Sequence, residues 1–302
     1  MEKRVTFSTR KAHHWLPWVL LAPQLVIVAL FFFWPAAQAL YQSVLQEDAF
    51  GTSREFVGLE NFQGLWNDPT YLDSFKTTAV FSTLVAGLGL SLSLLLAVCA
   101  NRVTHSKFWG GHLYKTLLIT PYAVAPVVAA VLWMFLFNSS FGVLTYVLRL
   151  LGVDWNYALN GTHATTLIVM AAVWKQISYN FLFFLAGLQS IPRSLLEAAS
   201  MDGASPWRRF WTITFPLLTP TTFFLLVINV VYAFFDTFAI IDATTHGGPG
   251  KDTAILVYRV YYDGFKAQDL GGSAAQSVVL MIIVALLTFA QFRYIEKKVN
   301  YA

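Results

Sequence analysis

A lysine inside an otherwise apolar run is the first residue whose chemistry demands a partner. Lys175 lies about ten residues into the stretch from Thr165 to Ser190, and Gln176 and Asn180 follow it. An ammonium at the centre of a bilayer costs roughly 2.5 to 3.5 kcal/mol on insertion scales, so it must face protein or water. Asn229, Tyr232 and Asp236 recur at helical spacing in the next apolar run, Leu217 to Ile241, and so lie near one face. The six residues make a candidate hydrophilic pathway. Two other readings stay open: polar contacts between helices, or a Lys175–Asp236 ion pair.

Between those two runs stands the most polar interruption in the chain, Ile191 to Pro216. Ser194 and Glu197 have the spacing of a capping box, in which the hydroxyl and the carboxylate satisfy each other's backbone amides. Leu195 to Met201 is then predicted to make about two helical turns. Gly203 is placed to end them in the left-handed conformation that a Cβ resists. Ser205 and Pro206 open a second helix as N-cap and first helical residue, and it carries Arg208 and Arg209. Two short helices hinged at a glycine make a rigid knob.

Other apparent motifs fail on inspection. Gly247-Gly248-Pro249-Gly250-Lys251 has the flavour of a phosphate loop, but the required first glycine falls at Thr245 and Asp252 takes the Ser/Thr place. A turn is the better reading. The six histidines have no metal-site spacing with nearby carboxylates. No nucleophile elbow or paired acids emerge, so nothing supports a membrane enzyme.

The elements that must carry these residues follow from composition. With 57% hydrophobic and 12% charged residues, 26 Phe and 10 Trp, the chain is a membrane protein rather than two soluble domains. Its net charge of +4 does not signal nucleic acid, because the basic residues alternate along the chain instead of forming one patch. The one cysteine, Cys99, allows no intrachain disulfide. Apolar spans are expected at about 15–40, 77–100, 116–137, 165–190, 217–241 and 274–292. The first is too long for a signal-peptide core and is expected to be retained. Gly87 and Gly89 suit close helix packing in the second, Pro121 and Pro126 should kink the third, and an apolar stretch around Val143 to Leu151 suits a short surface helix. Thirteen of the 20 Lys and Arg fall in the tail 1–14, the second loop, the knob and the C-terminal tail, against five in the other loops. Basic segments face the cytoplasm. The expected fold class is therefore all-α, with six transmembrane helices in a domain at 15–293 and cytoplasmic tails at 1–14 and 294–302.

The knob resembles the EAA loop of permease subunits of bacterial ABC importers. Its pattern appears as Glu197-Ala198-Ala199, Asp202-Gly203-Ala204, Ile213 and Pro216, with Phe215 where the family more often has leucine. Leu185 to Pro192, Leu21-Ala22-Pro23, Phe56 to Phe62 and Pro121 to Pro126 are similar to the maltose-type carbohydrate-uptake branch. The runs Val173 to Phe184 and Tyr232 to Phe238 are similar, within that branch, to permeases of glycerol-3-phosphate importers. The resemblance implies an inner-membrane subunit paired with a second permease, two copies of a cytoplasmic ATPase and an external substrate-binding protein. It implies that Ser194, Glu197 and their neighbours form a coupling helix docked on the ATPase, which alone would hold ATP and Mg. It further implies a substrate-binding-protein contact at Gly247, Gly248 and Pro249, and no cofactor on this chain. A phosphate ester suits Lys175. A neutral sugar or polyol, or a stand-alone secondary carrier, is the alternative.

Overall fold

The computed structural model describes residues 15–47, 53–104 and 111–295. The tail 1–14 and nearly all of the tail 294–302 lie outside them. The first span is helix α1 (Pro17–Gln42), opened by proline, which lacks the N–H a first-turn residue leaves idle anyway. It has no buried residue, and Phe31, Phe32 and Phe33 are each about 70% exposed. Such a face belongs against lipid or another subunit. A hairpin follows that composition did not announce, strands β1 (Leu45–Glu47) and β2 (Arg54–Phe56), antiparallel with Gln46 opposite Glu55. Arg54 and Glu47 close it with a 2.7 Å ion pair.

Helix α2 (Glu60–Asn67) leads into α3 (Pro69–Thr104), which starts eight residues before the expected Thr77. The reason is local: Asp68 accepts the Thr70 amide at 2.9 Å and its hydroxyl at 2.7 Å, while Pro69 takes the first helical position. Gly87 meets no neighbour within 4 Å of a Cβ position, whereas Gly89 lies against the side chains of Asn180 and Asn229. Only the second glycine serves close packing. The third apolar stretch is broken rather than kinked: α4 (Gly111–Ile119) runs into a 3-10 turn, and α5 (Pro126–Leu136) leaves at 107°.

Helix α6 (Val143–Leu150) is the short helix anticipated there. Helix α7 (Gly161–Ser190) starts at an Asn160 cap, whose side chain accepts the His163 amide at 3.1 Å. It is the spine of the molecule, packed along α3 and touching α4, α5 and the next long helix. After the knob helices α8 (Arg193–Met201) and α9 (Pro206–Arg209) comes α10 (Thr219–Thr244), with a π turn at Tyr232–Asp236. A short helix α11 (Leu256–Tyr261) and the long α12 (Leu270–Ala290) complete the chain. Among the described residues five helices are long and apolar enough to cross a membrane, and the bent α4–α5 pair makes up to six. Among the described residues, apolar clusters around Phe81, Ile168 and Ile240 and around Phe181, Phe184 and Leu218 join α3, α7 and α10, and a third around Tyr71, Phe234 and Leu280 brings in α12.

An ionic cluster at the start of α3 ties three helices together. Arg259 of α11 is buried, its guanidinium 3.1 Å from both Asp68 and Asp263, and Gln276 of α12 donates to Asp263 at 2.6 Å. Burial opposes ionisation of Asp68, but hydrogen bonds from the Thr70 hydroxyl and amide, together with Arg259, hold its carboxyl below the usual range. The folded pKa lies under the unfolded one, so this stability is present above about pH 4 and lost as pH falls further. Removing one partner strands the others' charge. Arg259→Leu is expected to lose on the order of 3 kcal/mol, Asp68→Asn less because Asp68 stays partly hydrated. Thermal unfolding midpoints in detergent check the order.

Candidate functional site

Lys175 sits midway along α7, facing the break between α4 and α5. It lines a polar cavity of about 340 Å³ with Tyr122, Pro126, Gln176, Tyr179, Ile228, Tyr232 and Asp236. Four of the six anticipated pathway residues are thus brought together: Lys175, Gln176, Tyr232 and Asp236. Gln176 is buried, and Tyr232 is fixed by donating its hydroxyl to the Ala172 carbonyl at 3.2 Å. No ion pair joins Lys175 to Asp236. The ammonium instead lies 3.5 Å from the Tyr122 carbonyl and 5.6 Å from the centroid of the Tyr122 ring.

Asn180 and Asn229 part company with this group. Both are fully buried and spend their amides on each other, Asn180 donating at 3.0 Å and Asn229 at 2.8 Å. Asn229 also donates to the Leu225 carbonyl at 2.7 Å. A reciprocal amide pair leaves little hydrogen-bonding capacity for a solute. Its place is at the crossing of α3, α7 and α10, where it joins helices rather than lining the cavity. A larger hollow of about 980 Å³ lies between Phe235, Met281 and Phe292, but it is almost wholly apolar and offers nothing to a charged solute.

In the knob, one expectation fails and two hold. Helix α8 begins at Arg193 with Pro192 at the cap position, and no side chain caps it. Ser194 is therefore the second helical residue and forms no box with Glu197. Pro192 wins because Ile191 and Pro192 are extended, with ψ 124° and 127°, which starts the helix two residues earlier. The other end is as expected. Gly203 has φ +77°, its amide donates to the Ser200 carbonyl at 3.1 Å and that of Ala204 to Ala199 at 3.0 Å, the two bonds of a Schellman ending. Ser205 accepts the Arg208 amide at 3.3 Å as N-cap. Arg209 reaches back to the Leu196 carbonyl at 3.3 Å, fastening α9 to α8.

The outer surface of this unit is bare. Helix α8 has no buried residue, Glu197 and Ala198 are exposed, and Met201 and Trp207 are 88% and 72% exposed. Ala199, Ala204, Ile213 and Pro216 are half-buried, and Asp202 is exposed. The turn after α10 is just as ordered: Thr253 donates to the Gly248 carbonyl at 2.8 Å and pairs with the Thr245 hydroxyl at 2.7 Å. Gly247, at φ +78°, lies flat on the Tyr258 ring, where any Cβ would collide. Gly248 and Pro249 share that turn.

A family model for the inner-membrane component of binding-protein-dependent transport systems matches residues 70–301. The chain belongs to that family. It is 60% identical over 286 residues to the sn-glycerol-3-phosphate transport system permease protein UgpA of Agrobacterium fabrum, covering 95% of this chain and 96% of that one. It is 57% identical over 300 residues to UgpA of Brucella abortus, covering 99% and 100%. A chain of a bacterial ABC transporter that imports the acidic polysaccharide alginate superposes with a TM-score of 0.77 over 93% of this chain and 96% of that one, at 24% identity. At that identity the likeness speaks for the fold alone.

For this inner-membrane component, three features escaped sequence reading. Tyr122 was one aromatic among many, and only Pro121 and Pro126 marked its neighbourhood as irregular. Arg259 has no legible link to its partner Asp68, because Asp68 stands 191 positions away. The Asn180–Asn229 pair was legible as two polar residues, not as a pair. A signal for it existed in Gly89, the small residue that meets both.

Proposed function

We propose that this chain is the membrane-spanning permease subunit of an ATP-driven importer, forming half of a translocation pathway for sn-glycerol 3-phosphate or a related phosphate ester. The observation that carries this reading is Lys175: a half-buried ammonium in a polar cavity at mid-helix, in a chain 57–60% identical to permeases named for sn-glycerol-3-phosphate transport. A phosphate ester cannot shed its hydration in a bilayer unless fixed charge replaces it. Lysine supplies that charge without the two-pronged grip of arginine, which favours release.

The finer parts of the proposal follow. The chain crosses the inner membrane six times with both ends in the cytoplasm, the bent α4–α5 pair serving as the third crossing. The knob, with Glu197, Ala198, Ala199, Asp202 and Gly203 at its centre, seats on a cytoplasmic ATPase present in two copies. ATP and Mg bind there, and this subunit does no catalysis. A second permease completes the pathway, and an external binding protein delivers solute near Gly247, Gly248 and Pro249. Reporter fusions at Ala204 are expected to be cytoplasmic and those at Gly250 external. An external Ala204 would sink the coupling role. The function itself is tested by reconstituting the complex in liposomes with its binding protein and ATP. Uptake of labelled sn-glycerol 3-phosphate is expected, and uptake of neutral polyols alone, or uptake that needs only an ion gradient, would overturn the reading.

A further inference from the structure

The break beside the cavity is made by prolines, and its chemistry reaches Lys175. Proline has no N–H, so Pro126 cannot satisfy the carbonyl of Tyr122 four residues earlier, as a helix would require. Ala125 is extended, with φ −61° and ψ 144°, and α5 starts afresh after it. The freed Tyr122 carbonyl faces the Lys175 ammonium at 3.5 Å. The ring of the same residue stands 5.6 Å from that ammonium, itself leaning on Tyr179 with centroids 5.8 Å apart. One residue thus offers the lysine both a carbonyl dipole and a π face, while Asp236 on the same cavity makes no ion pair with it.

We propose that Tyr122 is a positioning residue for transport, a weak internal competitor that holds the Lys175 ammonium when the cavity is empty and takes it back when the anion leaves. The inference rests on the reading of this cavity as the pathway. An incoming phosphate ester must displace both contacts, so its apparent affinity falls in proportion to the fraction of lysine left free. A cation–π contact in a partly desolvated site, with one carbonyl contact, sets that reduction at about five- to tenfold. A transport site gains from this, because a solute gripped too tightly is never released. Two consequences separate the idea from simple packing. Loss of the ring should tighten anion binding, whereas loss of a packing residue loosens it. Maximal uptake should fall at the same time, because release slows.

The test uses the whole transporter, purified without its binding protein. Lys175 is acylated with isotope-coded acetic anhydride and quantified by mass spectrometry, while sn-glycerol 3-phosphate is titrated as protectant. The expected result for Tyr122→Leu, which loses the ring but keeps the backbone carbonyl, is a half-protection concentration about two- to fivefold lower than the parent's, with a lower KM and a lower maximal uptake rate in liposomes once the binding protein is added back. Tyr122→Phe keeps the ring and should return the half-protection concentration toward the parent value. Tyr122→Ile, which replaces the ring by a second apolar side chain, should shift it in the same direction as Tyr122→Leu and stands in if the latter fails to assemble. Protection in the parent but an equal or higher half-protection concentration in Tyr122→Leu and Tyr122→Ile overturns the competitor role alone. No protection of Lys175 in a parent that still imports the ester overturns the pathway reading, and the inference with it.

Discussion

Lys175→Met in the assembled transporter is expected to abolish uptake of the phosphate ester while the complex keeps its ATPase and its basal ATP hydrolysis. The substitution removes a charge that costs roughly 2.5 to 3.5 kcal/mol to place at mid-membrane, so insertion should improve rather than suffer. A loss of transport would then report on the solute, not on folding. The competing account is that Lys175 balances Asp236. The two line the same cavity beyond ion-pair distance though within reach of each other's charge, and the ammonium's hydrogen bond goes to Tyr122. If the lysine meets the anion, Asp236→Asn should fail to rescue Lys175→Met. If the double variant regains uptake, the lysine is a structural partner of the aspartate and has no part in recognition. Lys175→Arg adds a graded outcome. Its planar fork can grip two phosphate oxygens, so KM should fall together with the maximal rate.

What the sequence made legible here is what local chemistry decides. Long apolar runs with few charges can satisfy their backbones in lipid only as helices, and so α1, α3, α7, α10 and α12 could be placed. Gly203 and Ser205 declared themselves because a left-handed ending and an N-cap each need particular side chains at one position. Ser194 misled for the same reason: its box with Glu197 is a good local pattern, but the extended Ile191–Pro192 pair had already begun the helix. Three-residue strands such as Leu45–Glu47 carry too little periodicity to be seen. The contacts that give the cavity its character are long-range. Nothing near Lys175 in sequence points to Tyr122, 53 residues away, and nothing near Asn180 points to Asn229, 49 residues on. Polar residues inside spans could be flagged as six, and the fold divided them into four that line the cavity and two that bind helices.

Gly203→Val is expected to abolish the stimulation of ATP hydrolysis by solute-loaded binding protein while the subunit still reaches the membrane. Nothing lies within 4 Å of a Cβ built on Gly203, so space is not the obstacle. The backbone is. At φ +77° a β-branched residue carries strain of about 1–3 kcal/mol, which the two amide bonds of the helix ending must absorb or yield to. Each 1.4 kcal/mol of that cost reduces the population of the dockable knob by about tenfold. Gly203→Asn should be far milder, because asparagine tolerates the left-handed region. The distortion should stay confined to the knob, since Gly203 packs against nothing that belongs to the membrane helices. Glu197→Gln then asks a sharper question of the same surface. Glu197 caps no helix and is exposed, so the change leaves the fold alone and alters only what a docked partner meets. Lower stimulation in Glu197→Gln, restored when the charge returns as Glu197→Asp, would place a cationic groove opposite it. Full stimulation in Gly203→Val would show that the hinge has no part in coupling, and the knob would lose its assigned role.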